Sequence, residues 1–234
     1  LRFNPDSGTS GDNITVNAVQ INHQPIDIDA DLSVTTLTQG DTSSVSTASN
    51  SHLFGGYEPS LDDFGPVTHS GSSGDDELVS SKDEDVIDGG AGNDDISGLA
   101  GDDVIFGGSG DEMIYGHAGN DIIVGEAGND FIFGREDNDT LYGGADHDNI
   151  WGDDGDDIIH GGTGEDKVFG GLGNDIIYGG AGDDWLRGDE GDDIIHGEGG
   201  HDVLIGNGGN DQIFGGTESE RIYGYSGNDI IDPG

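Results

Sequence analysis

Cysteine is absent from this chain of 234 residues, so neither disulfides nor thiolate metal sites are open to it. Basic residues are scarce: 6 Lys and Arg stand against 50 Asp and Glu, a formal net charge of −44. That sign excludes nucleic acid as a partner and sets the chain against an anionic membrane surface. Long apolar runs are also lacking, and none approaches the ~18 residues of a membrane span. No initiator methionine and no secretory leader stand at Leu1, so the chain reads as a processed piece of something longer. Glycine is what it has in excess, with 47 residues. A composition this acidic and this rich in glycine cannot compact unless its charge is neutralised.

The glycines are periodic. Eighteen nonapeptides run from Gly71 to Asp232 without an insertion or deletion, and Gly89–Ser97 serves as the ruler. Position 1 is Gly in seventeen repeats, with Ser80 the exception, and position 4 is Gly in fourteen, with Asp83, Asp137, Asp146 and Glu218 the departures. Position 6 is Asp in sixteen repeats and Glu in two, Glu112 and Glu220, while position 8 is Ile, Leu or Val in all. Four columns held in register over such a length mark a solenoid.

The remainder divides into three. Residues 1–40 carry short alternating runs such as Ile14–Val16 and Ile26–Ile28, which are strand signals broken by Asn, Pro and Gly. Residues 41–52 are rich in Ser and Thr and read as a linker. Residues 53–70 hold Leu53, Phe54, Tyr57, Leu61 and Phe64, apolar surface to dock on the start of a roll spanning 71–232. Within 1–40, Asp27, Asp29 and Asp31 have EF-hand spacing, but Leu32 stands where that loop needs Gly and Thr38 where it needs Glu, so an exposed strand face is preferred.

Each nonapeptide is expected to form a turn at positions 1–6 and a strand at 7–9. Gly at positions 1 and 4, and Asn or Asp at 5, suit left-handed backbone. An aliphatic at 8 flanked by outward 7 and 9 places the core on one side of the strand. Two repeats then make one coil, and nine coils at ~4.8 Å give a rod of roughly 40 Å. The core is one column of side chains, and the position-6 carboxylates stack about 4.8 Å apart in two columns that repel. Such a rod needs a divalent cation between its turns. Carboxylate and carbonyl oxygens from a flexible loop suit Ca²⁺ better than Mg²⁺, which demands rigid octahedral geometry. About eight gaps on each side allow at most about 16 ions. Acid, by protonating the ligands, is expected to release the metal and unfold the rod.

These residues resemble the RTX family, the hemolysin-type calcium-binding repeats of consensus G-G-x-G-x-D-x-U-x, a motif the general rules of repeat architecture already associate with calcium. The resemblance covers about two thirds of the chain. It implies an all-β, right-handed parallel β-roll with Ca²⁺ held between turns two repeats apart. It also implies export in an unfolded state by a one-step bacterial system, with folding on external calcium. Carried over position by position, one ligand column is Asp85, Asp103, Asp121, Asp139, Asp157, Asp175, Asp193, Asp211 and Asp229. The other is Asp76, Asp94, Glu112, Asp130, Asp148, Asp166, Asp184, Asp202 and Glu220. Turn carbonyls would complete the sites, such as those of Gly89, Ala91, Gly107, Ser109, Gly161, Thr163, Gly170, Leu172, Gly179 and Ala181. Both Glu departures fall in the second column, and Glu218 beside Glu220 weakens the site around 215–220. Residues 1–34 separately resemble the last strands of cadherin-like or Ig-like modules.

The outward positions differ between the two sides. Position 7 on one reads Val86, Val104, Ile122, Thr140, Ile158, Ile176, Ile194, Gln212 and Ile230; on the other it is mixed and polar. The apolar row reads either as strand propensity or as a face covered by residues 1–70 or another chain, in which case Ile158, Ile176 and Ile194 are shielded. Position-9 aromatics from Phe106 to Tyr223 are read as cross-strand packing, with a glycan platform the alternative. The eight His are scattered, no H-E-x-x-H or G-x-S-x-G motif occurs, and no enzyme is expected. The sequence thus points to a calcium-binding structural or interaction module of a secreted or cell-surface protein, of adhesin or surface-layer type. The alternative is an accessory domain of a secreted enzyme or pore-forming toxin. End-to-end self-association is a further expectation, since a last coil without a cap exposes a sheet edge.

Overall fold

The computed structural model describes residues 59–234; the strands expected within 1–40, the Asp27–Asp31 loop, the linker at 41–52 and the docking residues Leu53, Phe54 and Tyr57 lie outside the described residues. The described residues form an all-β parallel solenoid of about nine turns. Each nonapeptide supplies one strand, typically of six residues, as in Val86–Ala91, Asp95–Ala100 and Val104–Ser109. The expected three-residue strand at positions 7–9 is therefore too short. Pairing continues through the glycines, with Gly90 opposite Gly108 and Ala91 opposite Ser109, and only positions 4–6 are left as turn. Strands two repeats apart pair in parallel, Asn149 opposite Lys167 and Ile150 opposite Val168. Alternate repeats thus build two sheets, one of ten strands and one of nine among the described residues.

The position-8 column from Ile87 to Ile213 is fully shielded from solvent, with Leu78 and Ile222 half-buried at its ends. Position 1 faces the same interior, and this decides its residue. A Cβ on Gly161 would stand 2.5 Å from the Gly179 carbonyl oxygen and 2.7 Å from Asp166 Oδ2. Gly at position 1 is there for want of space. The left-handed backbone expected of it belongs to position 2, where φ is 100° at Gly90, 93° at Arg135 and 73° at Asp153.

Position 2 also separates the two sheets. On the ten-stranded sheet it is mostly glycine: Gly90, Gly108, Gly144, Gly162, Gly180 and Gly216. On the nine-stranded sheet Leu99, His117, Arg135, Asp153, Asp189, Asn207 and Tyr225 all take positive φ, each at a strain of about 1 kcal/mol. On one face the glycines of this row from Gly90 to Gly216 are broken only by Glu126 and Glu198; on the other it carries side chains at all but Gly171 from Leu99 to Tyr225.

Position 9 forms an outer column on each sheet. Tyr142, His160, Tyr178, His196 and Phe214 stack on the ten-stranded sheet with ring centroids 4.7–4.9 Å apart. Tyr115, Phe133, Trp151 and Phe169 stack on the nine-stranded sheet at 4.7–5.3 Å. Two of the histidines that look scattered in sequence, His160 and His196, are rungs of the first ladder, and burial lowers the imidazole pKa of both. Stacked rings cover each other's faces, so within a ladder only ring edges meet solvent. A glycan platform along the whole row is not what the rings present.

The approach to the roll is short. Ser60 and Asp63 cap a 3-10 turn at Leu61–Asp63, with the Ser60 N–H donating to Asp63 Oδ2 at 2.9 Å. The Phe64 ring lies 5.9 Å from Phe106, and His69–Ser70 adds an edge strand beside Val86–Ala91. Phe106 and Val124 are buried on this face. Further along, Ile158 is 38% exposed, and Ile176 and Ile194 are half-buried. Shielding of that trio, expected of a covered face, is not provided by the described residues.

Candidate metal centre

The turns are built from three consecutive positions. Position 4 turns the chain with positive φ, and Asp137 and Asp146 adopt it as the glycines do, at 75° and 80°. Their departures from glycine therefore leave the turn intact. Asp83 and Glu218 are absent from the positive-φ residues, and the strand before Glu218 is cut to five residues, Gln212–Gly216. Glu218 instead accepts the Gly200 N–H at 3.2 Å, so the expected irregularity around 215–220 is a real change of turn.

Position 5 is not left-handed, as expected from its Asn and Asp, but forms a ladder of its own. Its side-chain oxygen accepts the N–H of position 5 in the next coil: Asp111 from Asn129 at 2.9 Å, Asn138 from Asp156 at 2.7 Å, Asp156 from Asn174 at 2.7 Å. Amide and carboxylate often alternate, and Asn129 and Asn174 also donate through Nδ2, which relieves repulsion between stacked acids. The His147 ring holds one rung, its Nδ1 accepting the Glu165 N–H at 2.7 Å.

Position 6 runs the opposite way. From Asp94 onward, Oδ1 of each position-6 aspartate accepts the N–H of position 6 in the preceding coil, as Asp139 donates to Asp157 and Asp157 to Asp175, at 2.8 and 2.9 Å. The second oxygen has no such use. Oδ2 is buried and without a hydrogen-bond partner in thirteen of these aspartates: Asp94, Asp103, Asp121, Asp130, Asp139, Asp148, Asp157, Asp166, Asp175, Asp184, Asp193, Asp202 and Asp211. Glu112, one methylene longer, buries both oxygens without a partner, and Glu220 buries one. A buried charge left so is costly, and the titration reflects it. Burial, reinforced by the carboxylates of neighbouring coils, raises Asp139, Asp148, Asp175 and Asp184 to about 8.

The first coils solve the problem differently. Ser72 donates to Asp76 Oδ2 from its N–H at 2.6 Å and its hydroxyl at 2.8 Å. Ser81 does the same for Asp85, at 3.0 and 2.8 Å. Burial raises the Asp85 carboxyl, but the Ser81 bonds, with the Thr68 hydroxyl and the nearby His69, outweigh it and the net shift is downward. Serine at position 2 went unread in the sequence as a carboxylate partner; its spacing four residues before the aspartate is the available signal. Asp229, in the last coil, is only half-buried and accepts the Asp211 N–H at 3.2 Å.

A hard cation fits this donor set. The orphaned Oδ2 of Asp184 and the Gly197 carbonyl oxygen converge within 2.6 and 2.8 Å of the point that a Cβ on Gly179 would occupy. The expected carbonyls of Gly161, Gly170 and Gly179 line the same inner side, against Gly143, Gly152 and Gly161. Gly89 and Gly107 carbonyls crowd Gly71 and Gly89 in the same manner. At position 3 the carbonyls of Ser109, Leu172 and Ala181 already accept ladder bonds from position 4 at 2.8–2.9 Å. Ala91 and Thr163 stand in the same strand register. Among the described residues no three His, Asp or Glu side chains converge as a metal cluster. Any cation here must take backbone oxygen with one carboxylate per coil.

Comparison with known proteins agrees with this chemistry. A family model described as the RTX calcium-binding nonapeptide repeat matches seven stretches, 70–105, 91–123, 106–141, 133–168, 142–177, 169–204 and 205–234, which together cover 70–234. No curated protein matches the chain.

Proposed function

The chain belongs to the RTX calcium-binding nonapeptide repeat family, and on that premise we propose that it is a calcium-dependent structural and interaction module of a larger secreted or cell-surface protein, of adhesin or surface-layer type. Export would precede folding, and external calcium would then fold the roll. The observation that carries this reading is the row of thirteen buried aspartate oxygens without partners. Such a row is tolerable only if protons or cations neutralise it. Calcium would supply two positive charges at each gap between successive carboxylates.

The ligands we assign are the position-6 columns, one from Asp85 to Asp229 and the other from Asp76 to Asp202, with position-1 and position-3 carbonyls. The Asp94-to-Asp211 stretch carries the orphaned oxygens and is the strongest part. Ser72 and Ser81 satisfy Asp76 and Asp85, which favours a total below the geometric limit of about 16 ions. Calorimetric titration of the chelated protein tests this. It is expected to report on the order of ten ions bound with folding, and a plateau at one or two would contradict the columnar assignment.

A further inference from the structure

The nine-stranded sheet's aromatic ladder has an open end. Tyr115 stacks on Phe133 at 5.0 Å and has the His117 ring 5.7 Å away at 27°, while the residue in register with it in the preceding coil is Ser97. Serine leaves vacant the place where the next ring would lie. Two other ladder ends are filled, the Arg187 guanidinium covering Phe169 at 4.8 Å and the buried Val124 standing in register with Tyr142, while Phe214 is in register with the exposed Asp232. At the Tyr115 end a cavity of about 830 Å³ opens instead, lined by Asp95, Ser97, Leu99, Tyr115, His117 and Arg135 among others.

We propose that this cavity binds a neutral glycan, with one pyranose ring laid above Ser97 beside the Tyr115 and His117 rings. The slot has the spacing of the ladder, so a ring continues the stack. Around it stand the Asp95 carboxylate, the Ser97 hydroxyl and the His117 imidazole, a set of acceptors and donors suited to sugar hydroxyls. Asp95 is exposed and reachable. Arg135 lies over both Tyr115 and Phe133, 5.7 and 5.1 Å from the ring centroids, and its Nη1 is 3.4 Å from Asp153 Oδ2. That pairing fixes the rings and leaves little free positive charge. Glu136, Asp153 and Asp154 line the same groove, so an anionic sugar is repelled. A free apolar ring would want an enclosed site, whereas this one is open, polar and long enough for several sugar units. Position 2, which carries side chains along most of this sheet, also lines the slot. Leu99, His117 and Arg135 take φ of 72°, 80° and 93° in a row where glycine would be unstrained. Side chains are kept beside the slot at that expense.

The test is saturation-transfer NMR on calcium-loaded protein with neutral tetrasaccharides of glucose, galactose, mannose and N-acetylglucosamine, and a sulfated galactose tetrasaccharide as control. Transfer to at least one neutral sugar and none to the control is expected. Ser97→Phe fills the slot by extending the ladder and is expected to weaken binding at least about tenfold. Asp95→Ala, at an exposed side chain, should weaken it without touching the stack. The folded roll is the premise, so circular dichroism is read on the same samples. Loss of the β-signal is a failure of the calcium-dependent fold; loss of sugar binding with that signal intact is a failure of the slot. Binding to none of the four, preference for the sulfated sugar, or binding indifferent to both Ser97→Phe and Asp95→Ala overturns the proposal.

Discussion

At position 1 and position 2 the same residue type, glycine, answers two different demands. Gly161 has no room for a Cβ, which would press on the Gly179 carbonyl and Asp166 Oδ2. Gly171 instead holds φ of 124°, between Asp153 at 73° and Asp189 at 79° in the same row. Gly161→Ala is therefore expected to destabilise the calcium-loaded roll by about 2–3 kcal/mol, an overpacking cost. Gly171→Asn must first draw φ toward the 73° and 79° of its neighbours, because a Cβ in the present backbone would collide with the Asp153 carbonyl oxygen; with that shift it should cost less, about 1–2 kcal/mol. Thermal melts of the two variants check the order, and a reversed order would refute it. The two oxygens of each position-6 aspartate can be separated in the same way. Asp157→Asn keeps a side-chain oxygen for the Asp139 N–H but removes the charge. It should bind about one calcium ion fewer in calorimetry while keeping the ladder; Asp157→Ala should lose about 1–3 kcal/mol more, for the orphaned N–H.

Between strands, the position-9 aromatics read as cross-strand packing do stack, and the histidine rungs among them are the least legible part of the sequence. Position 8 and position 6 could be read directly, because each keeps one chemical type in every repeat. Position 9 mixes Tyr, His, Phe, Trp, Ser and Arg, and the ladders appear only when repeats are split between two sheets. His160 and His196 then fall between Tyr142, Tyr178 and Phe214 rather than at random. Left-handed backbone at position 2 was equally hidden, since Leu99, Arg135 and Tyr225 are not residues that advertise it. Strand length was misjudged for a related reason: glycine pairs read as turn, yet a parallel ladder carries them. The ladder makes its own prediction. Burial lowers the pKa of His160 and His196, so their neutral form is the folded one. Their contribution is present above the ordinary value of 6.5 and is lost as pH falls through it. His160→Phe continues the stack without a titrating ring. Its melting temperature should exceed that of the parent, with the larger gain below about pH 6.

For the whole molecule, charge decides when the roll exists. An aspartate in the unfolded chain titrates near 3.8, whereas Asp139, Asp148, Asp175 and Asp184 titrate at about 8 in the roll. The folded state therefore holds more protons across that interval. Without a cation, the stability that protonation confers is full below about pH 4 and is lost as pH rises through about 8. Acid removes bound metal but supplies protons to the same oxygens, so in the metal-free chain protons and calcium act on the same charge. In chelator, the β-signal should thus be stronger at about pH 5 than at about pH 9. The most direct test of the central claim is circular dichroism during calcium addition to the chelated chain at about pH 9, where protons cannot substitute. A disordered spectrum that converts cooperatively to β-structure as calcium is added is the predicted result. A β-rich spectrum already present in chelator at that pH, and unchanged by calcium, would contradict it.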